Sequence, residues 1–420
     1  MKVCVIGSGG REHALAWRLS ISPSVTKVYA IPGSAAMLDC AELVGIDWQQ
    51  SDHLISFLKD NQVDLVVVGP EAPLVAGLAD VLNKAGIPVF GPSKAAAQLE
   101  GSKVFAKDLM KKYNIPTAAY GVFHKVDEAK AFIAQTGAPI VVKADGLAAG
   151  KGVVVAMTID EANVAVEDML SGNRFGDAGS TVVIEEFMEG EEASLLAFVD
   201  GKTVVPMIAS QDHKRIFDGD KGPNTGGMGT YAPAPVLTDA LRDAAMKTIL
   251  EPMVAAMEKE GMPYVGCLYA GLMITDEGPK VVEFNARFGD PETQVVLPLL
   301  DSDLGEIMMA CAKGTLTSNM VKWKDSSAAC VILASKGYPE TSSKGDVISG
   351  DIKQYDTTIV FHSGTKLVGE NYVTNGGRVL GVVGLGKDLR TALDRAYERI
   401  EHIDFEGMQY RTDIGAKAFK

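Results

Sequence analysis

The sequence lacks the features that define several classes of protein. No apolar run reaches the ~18 residues that cross a bilayer, and glycines interrupt the first apolar stretch too early for a signal peptide. The five cysteines form no CxxC pair and no zinc-like spacing with the six histidines, which is typical of reduced thiols. The net charge of −14 leaves no broad positive field to attract nucleic acid. We therefore expect a cytoplasmic protein that binds no membrane and no nucleic acid.

The composition that is present is that of a folded globular protein. Hydrophobic residues make up 47% of the 420 residues, and this length suits about three domains. Short β-branched runs alternate with helical spacing over residues 1–100, which predicts a parallel sheet between helices. Farther along, strands surround glycine-rich turns, and the last hundred residues are again rich in strands. We predict an α/β and α+β multidomain fold with domains at residues 1–103, 104–325 and 326–420.

Two shorter patterns predict local structure. Thr238 is placed to cap a helix, because apolar residues recur at helical spacing after it, from Leu241 to Met257. Asn375 and Gly376 stand between two apolar runs, a pairing typical of the tight turn of a hairpin. The TNGGR segment is equally open to a functional interpretation.

A glycine-rich turn, GSGGREH, joins the first strand to its helix at Gly7–His13. Glycines let a backbone approach an anion, and the free amides of a helix N-terminus carry partial positive charge, so the turn predicts a phosphate site. Glu12 stands where the dinucleotide fingerprint has its third glycine, and no acidic residue follows about 20 positions later. A nicotinamide-dependent oxidoreductase is therefore disfavoured, and a tight turn without a ligand is the alternative.

Residues 140–155 form a second glycine-rich segment, IVVKADGLAAGKGVVV. Two predicted strands flank a tip that contains Lys151 and three glycines, and Lys143 ends the first strand. Such a hairpin places two ammonium groups where they can fold over a triphosphate. The glycine spacing and the lack of a following helix do not match a Walker A loop. A mobile, solvated hairpin is the alternative interpretation.

The segment VVEFNARFGDPETQ, residues 281–294, carries the most specific pattern. At the strand period of two, Glu283, Asn285 and Arg287 share one face. A carboxylate and an amide oxygen two residues apart suit a hard cation such as Mg²⁺, which shares its oxygen ligands with substrate phosphates. Arg287 can then neutralise the group that is transferred. An ordinary half-exposed strand is the alternative, although asparagine is depleted from strands.

Charged residues crowd into SQDHKR, ahead of a long glycine-rich stretch that ends near residue 235. We expect a functional loop here, because long ordered loops usually bind or catalyse. Asp212 and Lys214 are candidates for contact with the reacting groups. His213 could act as a base, but a lone histidine is more often structural, so we assign it no catalytic role.

Five segments together resemble the ATP-grasp ligases, and within them the phosphoribosylamine–glycine ligase family: KADGLAAGKG, VIEEFMEGEEAS, SQDHKR, GPNTGGMG and EFNARFGDPETQ. The resemblance extends over essentially the whole chain, through GSGGREHALAW and GPEAPLVAGLAD. It implies an N-terminal domain for phosphoribosylamine, an ATP-grasp core with a small lid over roughly residues 120–190, and a C-terminal domain that closes the site.

The activity that the resemblance implies is the ATP-dependent ligation of glycine to 5-phosphoribosylamine through glycyl phosphate, in purine biosynthesis. ATP is then a substrate, Mg²⁺ or Mn²⁺ is the cofactor, and the protein is expected to be a monomer or a weak homodimer. Phosphoryl transfer to a positioned carboxylate needs charge neutralisation more than a protein nucleophile, in agreement with this sequence. The alternatives are an ATP-grasp ligase with a different acid and amine, and a non-catalytic nucleotide sensor.

The resemblance also implies roles for particular residues. Lys107 and Lys143 contact ATP phosphates, the backbone around Glu185 binds adenine, and Glu192 binds the ribose hydroxyls. The predicted ATP site is Lys107, Lys143, Gly150, Lys151, Gly152, Glu185, Glu186, Phe187 and Glu192. The predicted substrate site is Gly9, Gly10, Arg11, Glu71, Thr225, Gly226, Asp290 and Pro291.

The metal is assigned to Glu283 and Asn285, and the catalytic contacts are assigned to Asp212, Lys214 and Arg287. Asp212 and Arg287 are expected to contact glycine or its acyl phosphate. Gly271 stands where many relatives in the wider superfamily carry another metal carboxylate, so the number of protein-bound metals stays open.

Overall fold

The N-terminal part of the chain forms the predicted parallel sheet. The computed structural model describes residues 1–147, 152–171 and 180–419. Runs such as VCVI and LVVV are fully buried, as is typical of parallel strands covered by helices on both faces. The strands are β1 Lys2–Gly7, β2 Lys27–Pro32, β3 Glu42–Leu43, β4 Leu65–Val68 and β5 Val89–Phe90, in the order β3-β2-β1-β4-β5. The helices are α1 Gly10–Ser20, α2 Ser51–Asp60, α3 Glu71–Ala76 and α4 Leu78–Lys84.

A small antiparallel sheet occupies the region predicted to be the lid, after helices α5 Gln98–Gly101 and α6 Lys103–Lys112. Its strands are β6 Tyr120–Phe123, β7 Ile140–Ala144, β8 Val153–Ala156 and β9 Val182–Glu186, in the order β6-β9-β7-β8. Helices α7 Val126–Thr136 and α8 Ile159–Ser171 share a separate apolar core with this sheet. β7 and β8 pair as the predicted hairpin.

A second antiparallel sheet follows, with strands β10 Glu191–Asp200, β11 Val204–Pro206, β16 Val265–Thr275 and β17 Gly278–Asn285, in the order β11-β10-β16-β17. The helices in this part of the chain are α9 Asp239–Ala245, α10 Glu251–Lys259, α11 Thr293–Leu299 and α12 Leu304–Lys313. The Thr238 hydroxyl accepts a hydrogen bond from the Leu241 amide, so the predicted helix cap is confirmed.

The C-terminal sheet recruits two strands from the middle of the chain. Its order is β12-β15-β18-β23-β20, and its strands are β12 Gln211–Asp212, β15 Gly229–Ala232, β18 Ser327–Ala334, β20 Thr358–His362 and β23 Arg378–Gly386. Helix α13 Leu389–Ile400 packs on this sheet. The long loop predicted after SQDHKR is therefore wrong in its extent, since β14 Lys221–Asn224 and β15 lie within it and β13 Arg215–Phe217 precedes them. β13 and β14 pair with each other, and β15 pairs with the distant β18. Strand pairing thus imposes an extended backbone that the local composition does not reveal.

The hairpin predicted at Asn375–Gly376 is also wrong. β22 Asn371–Thr374 pairs with β21 Thr365–Val368, whereas β23 pairs with β18 and β20. The glycines serve a close backbone approach instead, because a Cβ at Gly364 would lie 2.7 Å from Cα of Gly376. The last pair of strands is β19 Ser349–Gly350 with β24 Ile403–Asp404.

The predicted fold class is confirmed, with a parallel N-terminal sheet followed by mixed units of helix and antiparallel strand. The boundaries at residues 103 and 325 stay predictions. Across the described ranges, no helix combines the length and apolar character needed to span a membrane.

Helix α1 and the C-terminal sheet meet at a buried histidine pair. The His362 amide donates a hydrogen bond to Nδ1 of His13 at 3.0 Å, and Nδ1 of His362 lies 3.0 Å from the Thr365 hydroxyl. Burial, with a smaller effect of His362, lowers the pKa of His13 to about 3, and burial lowers the pKa of His362 to about 4. His13 accepts only when its Nδ1 is unprotonated, so this contact depends on a neutral ring.

We predict that acid weakens this contact. A histidine whose folded pKa is lowered binds fewer protons than the unfolded chain below pH ~6.5, so the unfolding free energy falls as the pH drops. The loss is at most about 1.4 kcal/mol per pH unit for each histidine. His13→Asn keeps an acceptor without the titration and should flatten this slope in urea denaturation. The control is His53→Asn at an exposed position, and equal slopes in the two variants would contradict the prediction.

Candidate active site

Two buried lysines share one carboxylate beside the small sheet. Nζ of Lys107 and Nζ of Lys143 lie 3.1 and 2.9 Å from the same oxygen, Oε2 of Glu185. Burial and the charge of Lys143 lower the pKa of Lys107 to about 8, against the opposing effect of Glu185. One negative charge between two positive ones leaves a site that favours an additional anion.

Strand register produces this arrangement. β9 lies between β6 and β7, and Glu185 is opposite Val141. Lys143 is two residues beyond Val141, so its side chain projects from the same face and is the diagonal neighbour of Glu185. Lys107 comes from α6, whose N-terminus is capped by the Ser102 hydroxyl.

Glu283 and Asn285 lie at the end of β17, as predicted. Within the described part of the chain, the Glu283 carboxylate makes no hydrogen bond and no ion pair. Burial raises the pKa of Glu283, but four cations outweigh it and hold the pKa below its usual range: Lys143, Lys214, Lys103 and Arg287. Oδ1 of Asn285 accepts a hydrogen bond from Nη2 of Arg287 at 3.3 Å. An ionised, unpartnered carboxylate therefore stands in a positive field.

Arg287 is oriented by carboxylates from the N-terminal region. Its Nη2 donates to Oε1 of Glu100 at 2.7 Å, and its Nε lies 3.4 Å from Oε2 of Glu71. The other oxygen of Glu100 accepts a hydrogen bond from the Ala286 amide at 2.7 Å. Burial lowers the pKa of Arg287, but Glu100 and Glu71 outweigh it and raise the pKa above its ordinary value. The guanidinium is thus charged and fixed in direction.

Asp212 and Lys214 line a cleft together with Glu283. They form an ion pair, with Nζ of Lys214 2.5 Å from Oδ2 of Asp212. Glu292 lies behind it, with Oε1 4.0 Å from Nζ of Lys214. That oxygen accepts a hydrogen bond from the Tyr269 hydroxyl at 2.7 Å, and Tyr269 contacts the Ser194 hydroxyl at 2.8 Å. Burial lowers the pKa of Lys214, but Asp212 and Glu292 raise it well above its ordinary value.

Sequence reasoning missed Glu292, Tyr269 and Ser194. Glu292 belongs to RFGDPETQ and Ser194 to GEEAS, so both stood inside segments that carried the resemblance. Tyr269 gave no such signal, because it lies within an apolar strand.

The carboxylate of Glu12 folds back onto the glycine-rich turn before α1. The Gly9 amide donates to Oε2 of Glu12 at 2.7 Å, and Nε of Arg11 lies 2.5 Å from Oε1. Gly7, at φ +125°, leaves room for this side chain, since a Cβ there would overlap Glu12. Nη1 of Arg11 also lies 3.9 Å from Oε2 of Glu71. Glu12 therefore takes one of the amides that the sequence suggested for a phosphate.

Four predicted substrate residues lie together beside Arg378. Nη1 of Arg378 donates to the Gly226 carbonyl at 2.7 Å, and Nη2 of Arg378 lies 3.2 Å from Oδ2 of Asp290. A Cβ at Gly227, where φ is +117°, would lie 2.6 Å from Cδ of Pro291. The two segments thus pack without space between them, and they bring together Thr225, Gly226, Asp290 and Pro291.

The other predicted ATP residues fall into three groups. Gly150 and Lys151 lie outside the described residues. The Gly152 carbonyl accepts a hydrogen bond from the Ala144 amide at 2.8 Å within the hairpin. Glu186 is exposed and Phe187 is half-buried, whereas Glu192 lines the cleft that holds Glu283 and Lys214.

His213 has a structural environment. Its Nδ1 lies 3.1 Å from the Gly229 carbonyl, and its Nε2 accepts a hydrogen bond from the Gly415 amide at 3.3 Å. Burial lowers the pKa of His213 to about 4. The ring joins β12 and β15 to the C-terminal segment.

Comparison with known proteins identifies the family. Three models of phosphoribosylglycinamide synthetase match in chain order: the N domain at residues 1–100, the ATP-grasp (A) domain at 101–293 and the C domain at 328–417. A curated phosphoribosylamine–glycine ligase of Halalkalibacterium halodurans is 53% identical over 418 residues, which cover 100% of this chain and 97% of that relative. The chain belongs to the phosphoribosylamine–glycine ligase family.

Solved structures agree with this family. The crystal structure of phosphoribosylamine–glycine ligase from Thermotoga maritima has a TM-score of 0.87 at 34% identity and covers 99% of this chain and 100% of that chain. Biotin carboxylase from Campylobacter jejuni has a TM-score of 0.75 over 97% of this chain and 92% of that chain. At 15% identity, biotin carboxylase shares the fold alone.

We predict that Glu185→Gln destabilises this family member, because two buried lysines lose their shared counterion. Removal of one partner from a buried ion pair costs about 3–5 kcal/mol, which urea denaturation would measure. Inorganic triphosphate should restore part of the loss, since it supplies negative charge to the same ammonium groups. The control is Glu186→Gln at the exposed neighbouring position. Equal stability of the two variants would contradict the prediction.

Proposed function

We propose that this chain ligates glycine to 5-phosphoribosylamine at the expense of ATP, through glycyl phosphate, and releases glycinamide ribonucleotide, ADP and phosphate. The observation that carries the proposal is the unpartnered Glu283 carboxylate among four cations, in a chain related over its full length to phosphoribosylamine–glycine ligases. Charge neutralisation by positioned groups is the main requirement of phosphoryl transfer.

The chemistry divides into two displacements. An oxygen of the glycine carboxylate attacks the γ-phosphorus of ATP and ADP leaves, which forms glycyl phosphate. The amine of 5-phosphoribosylamine then attacks the acyl carbon, loses a proton, and phosphate leaves. Lys107 and Lys143 are proposed to bind ATP phosphates, and Arg287 and Lys214 to balance the charge on the transferred group.

The residues present fit a divalent metal. Glu283 and Asn285 offer two oxygen donors, the ligand type of Mg²⁺ and Mn²⁺, and the Glu283 carboxylate has no competing partner among the described residues. The described part of the chain contains no cluster of three or more acidic, histidine or cysteine side chains that could hold a metal ion. We therefore expect nucleotide phosphates to complete the ligand set. A bound divalent ion would offset part of the negative charge of the nucleotide phosphates.

The proposal includes a cytoplasmic location and a monomeric or weakly dimeric state. Five free cysteines, four of them buried, and the acidic composition support this location.

The decisive experiment uses glycine labelled with oxygen-18 in its carboxylate. We expect ADP release only when glycine and phosphoribosylamine are both present, and we expect label in the released phosphate, because a carboxylate oxygen stays on phosphorus when the acyl bond breaks. Unlabelled phosphate would refute glycyl phosphate. ADP release with a different acid or amine, but not with this pair, would favour another ATP-grasp ligase.

Asn285→Leu should lower turnover by about 100-fold or more while it leaves folding nearly intact. Asn285 contributes a site oxygen, and Arg287 keeps its 2.7 Å bond to Glu100 after the change. Asn285→Asp retains an oxygen donor and should keep more activity than Asn285→Leu. Steady-state ADP release and urea denaturation measure the two effects. Unfolding of Asn285→Leu would show that the residue is structural.

A further inference from the structure

Arg378 begins β23 and reaches from the C-terminal sheet to the Gly226 turn and Asp290. Its Nη1 donates to the carbonyl oxygens of Gly226 and Asp290 at 2.7 and 2.9 Å, and its Nη2 lies 3.2 Å from Oδ2 of Asp290. These two partners precede it by 152 and 88 residues. One planar guanidinium therefore joins three distant parts of the chain.

The C-terminal region holds both backbone polar groups of Gly226. Its carbonyl accepts from Arg378, and its amide donates to the Tyr338 hydroxyl at 3.0 Å. A Cβ at Gly226 would lie 3.0 Å from Cζ of Arg378, tighter than side chains usually approach. The turn therefore packs closely against the guanidinium.

Asp290 is also held from the side opposite Arg378. Nε2 of Gln294 donates to Oδ1 of Asp290 at 2.7 Å. Gln294 is completely buried, and its Nε2 would lie 3.0 Å from a Cβ at Gly10, in the glycine-rich turn of the N-terminal sheet. Burial raises the pKa of Asp290, but Arg378 and Arg11 outweigh it and keep the carboxylate ionised. Contacts thus run continuously from Arg378 through Asp290 and Gln294 to Gly10.

We propose that Arg378 is a positioning residue for the phosphoribosylamine half of the reaction. It fixes the Gly226 turn and Asp290 relative to the Gly10 turn. These segments therefore keep the positions needed for substrate binding only while the C-terminal sheet packs against them. This inference rests on the proposed function, which assigns these segments to the substrate. Its physical basis is that small displacements of positioning groups cost large factors in rate.

Arginine is suited to this task because its rigid fork donates in several fixed directions, which a lysine ammonium cannot reproduce. The chain offers a matched control in Arg399. Its Nη1 lies 2.6 Å from Oδ2 of Asp351, and its Nη2 donates to the Lys353 carbonyl at 2.9 Å. Arg399 thus also joins a carboxylate to a carbonyl, but it does so entirely within the C-terminal domain.

The experiment compares Arg378→Lys with Arg399→Lys in the full chain, with phosphoribosylamine formed from ribose 5-phosphate and ammonia. We expect Arg378→Lys to lower kcat/KM for phosphoribosylamine about 10- to 100-fold. The Kd of ADP, measured by calorimetry, should stay within about two-fold, because the nucleotide lysines are untouched. Arg399→Lys should keep both values. Equal kcat/KM in the two variants would overturn the proposal.

Gly226→Ala separates positioning from direct contact with the substrate. The added Cβ crowds the guanidinium and changes the position of the turn relative to it, while the arginine itself is kept. If Arg378 acts through the turn, the Arg378→Lys, Gly226→Ala double variant is no slower than the more severe single variant. If the double variant instead loses kcat/KM by the product of the two single losses, Arg378 acts independently of the turn. That result would overturn the positioning role. A wild-type protein that releases no ADP with both substrates would instead refute the proposed function, so the two failures are distinct.

Discussion

A concentration of cations around Glu283 is the constraint on which the rest of the structure depends. The chain as a whole is acidic, yet four cations hold the pKa of this one carboxylate low: Lys143, Lys214, Lys103 and Arg287. Removing charges from water costs several kcal/mol each unless opposite charges and hydrogen bonds compensate. Carboxylates pair with Lys143, Lys214 and Arg287, and the Lys103 ammonium donates to the Gly146 carbonyl. Glu283 is left without a partner among the described residues.

The cations and the groups that hold them come from different parts of the chain, and this ties the architecture to the site. Lys143 of the small sheet donates to the Val282 carbonyl of β17 at 3.0 Å, next to Glu283. Arg287 follows β17 and pairs with Glu100, 187 residues earlier in the sequence. β12 and β15 carry the Asp212 and Gly226 region into the C-terminal sheet. Electrostatic compensation and strand pairing therefore assemble one cleft from all three parts of the chain.

Local pattern predicted the features that depend on neighbours in sequence. The alternation of strand and helix predicted the parallel N-terminal sheet, and helical spacing after Thr238 predicted α9. Strand period and residue chemistry singled out Glu283 and Asn285, which the structure places together at the end of β17. Predictions failed where the choice of strand partner decides, in the stretch after SQDHKR and at Asn375–Gly376, because composition suggests a loop or turn at both places.

The sequence by itself determined the fold class, the family and the residue types that carry the chemistry, since these follow from periodicity and from ordered motifs read along the chain. Only the tertiary structure decided which charges neutralise which. Glu185 between two lysines, Glu100 on Arg287, Glu292 behind Lys214 and Arg378 across Gly226 and Asp290 are all contacts between separated segments. No periodicity encodes such pairs, because the partner of a buried charge is chosen by proximity in the folded chain and by the cost of leaving that charge alone.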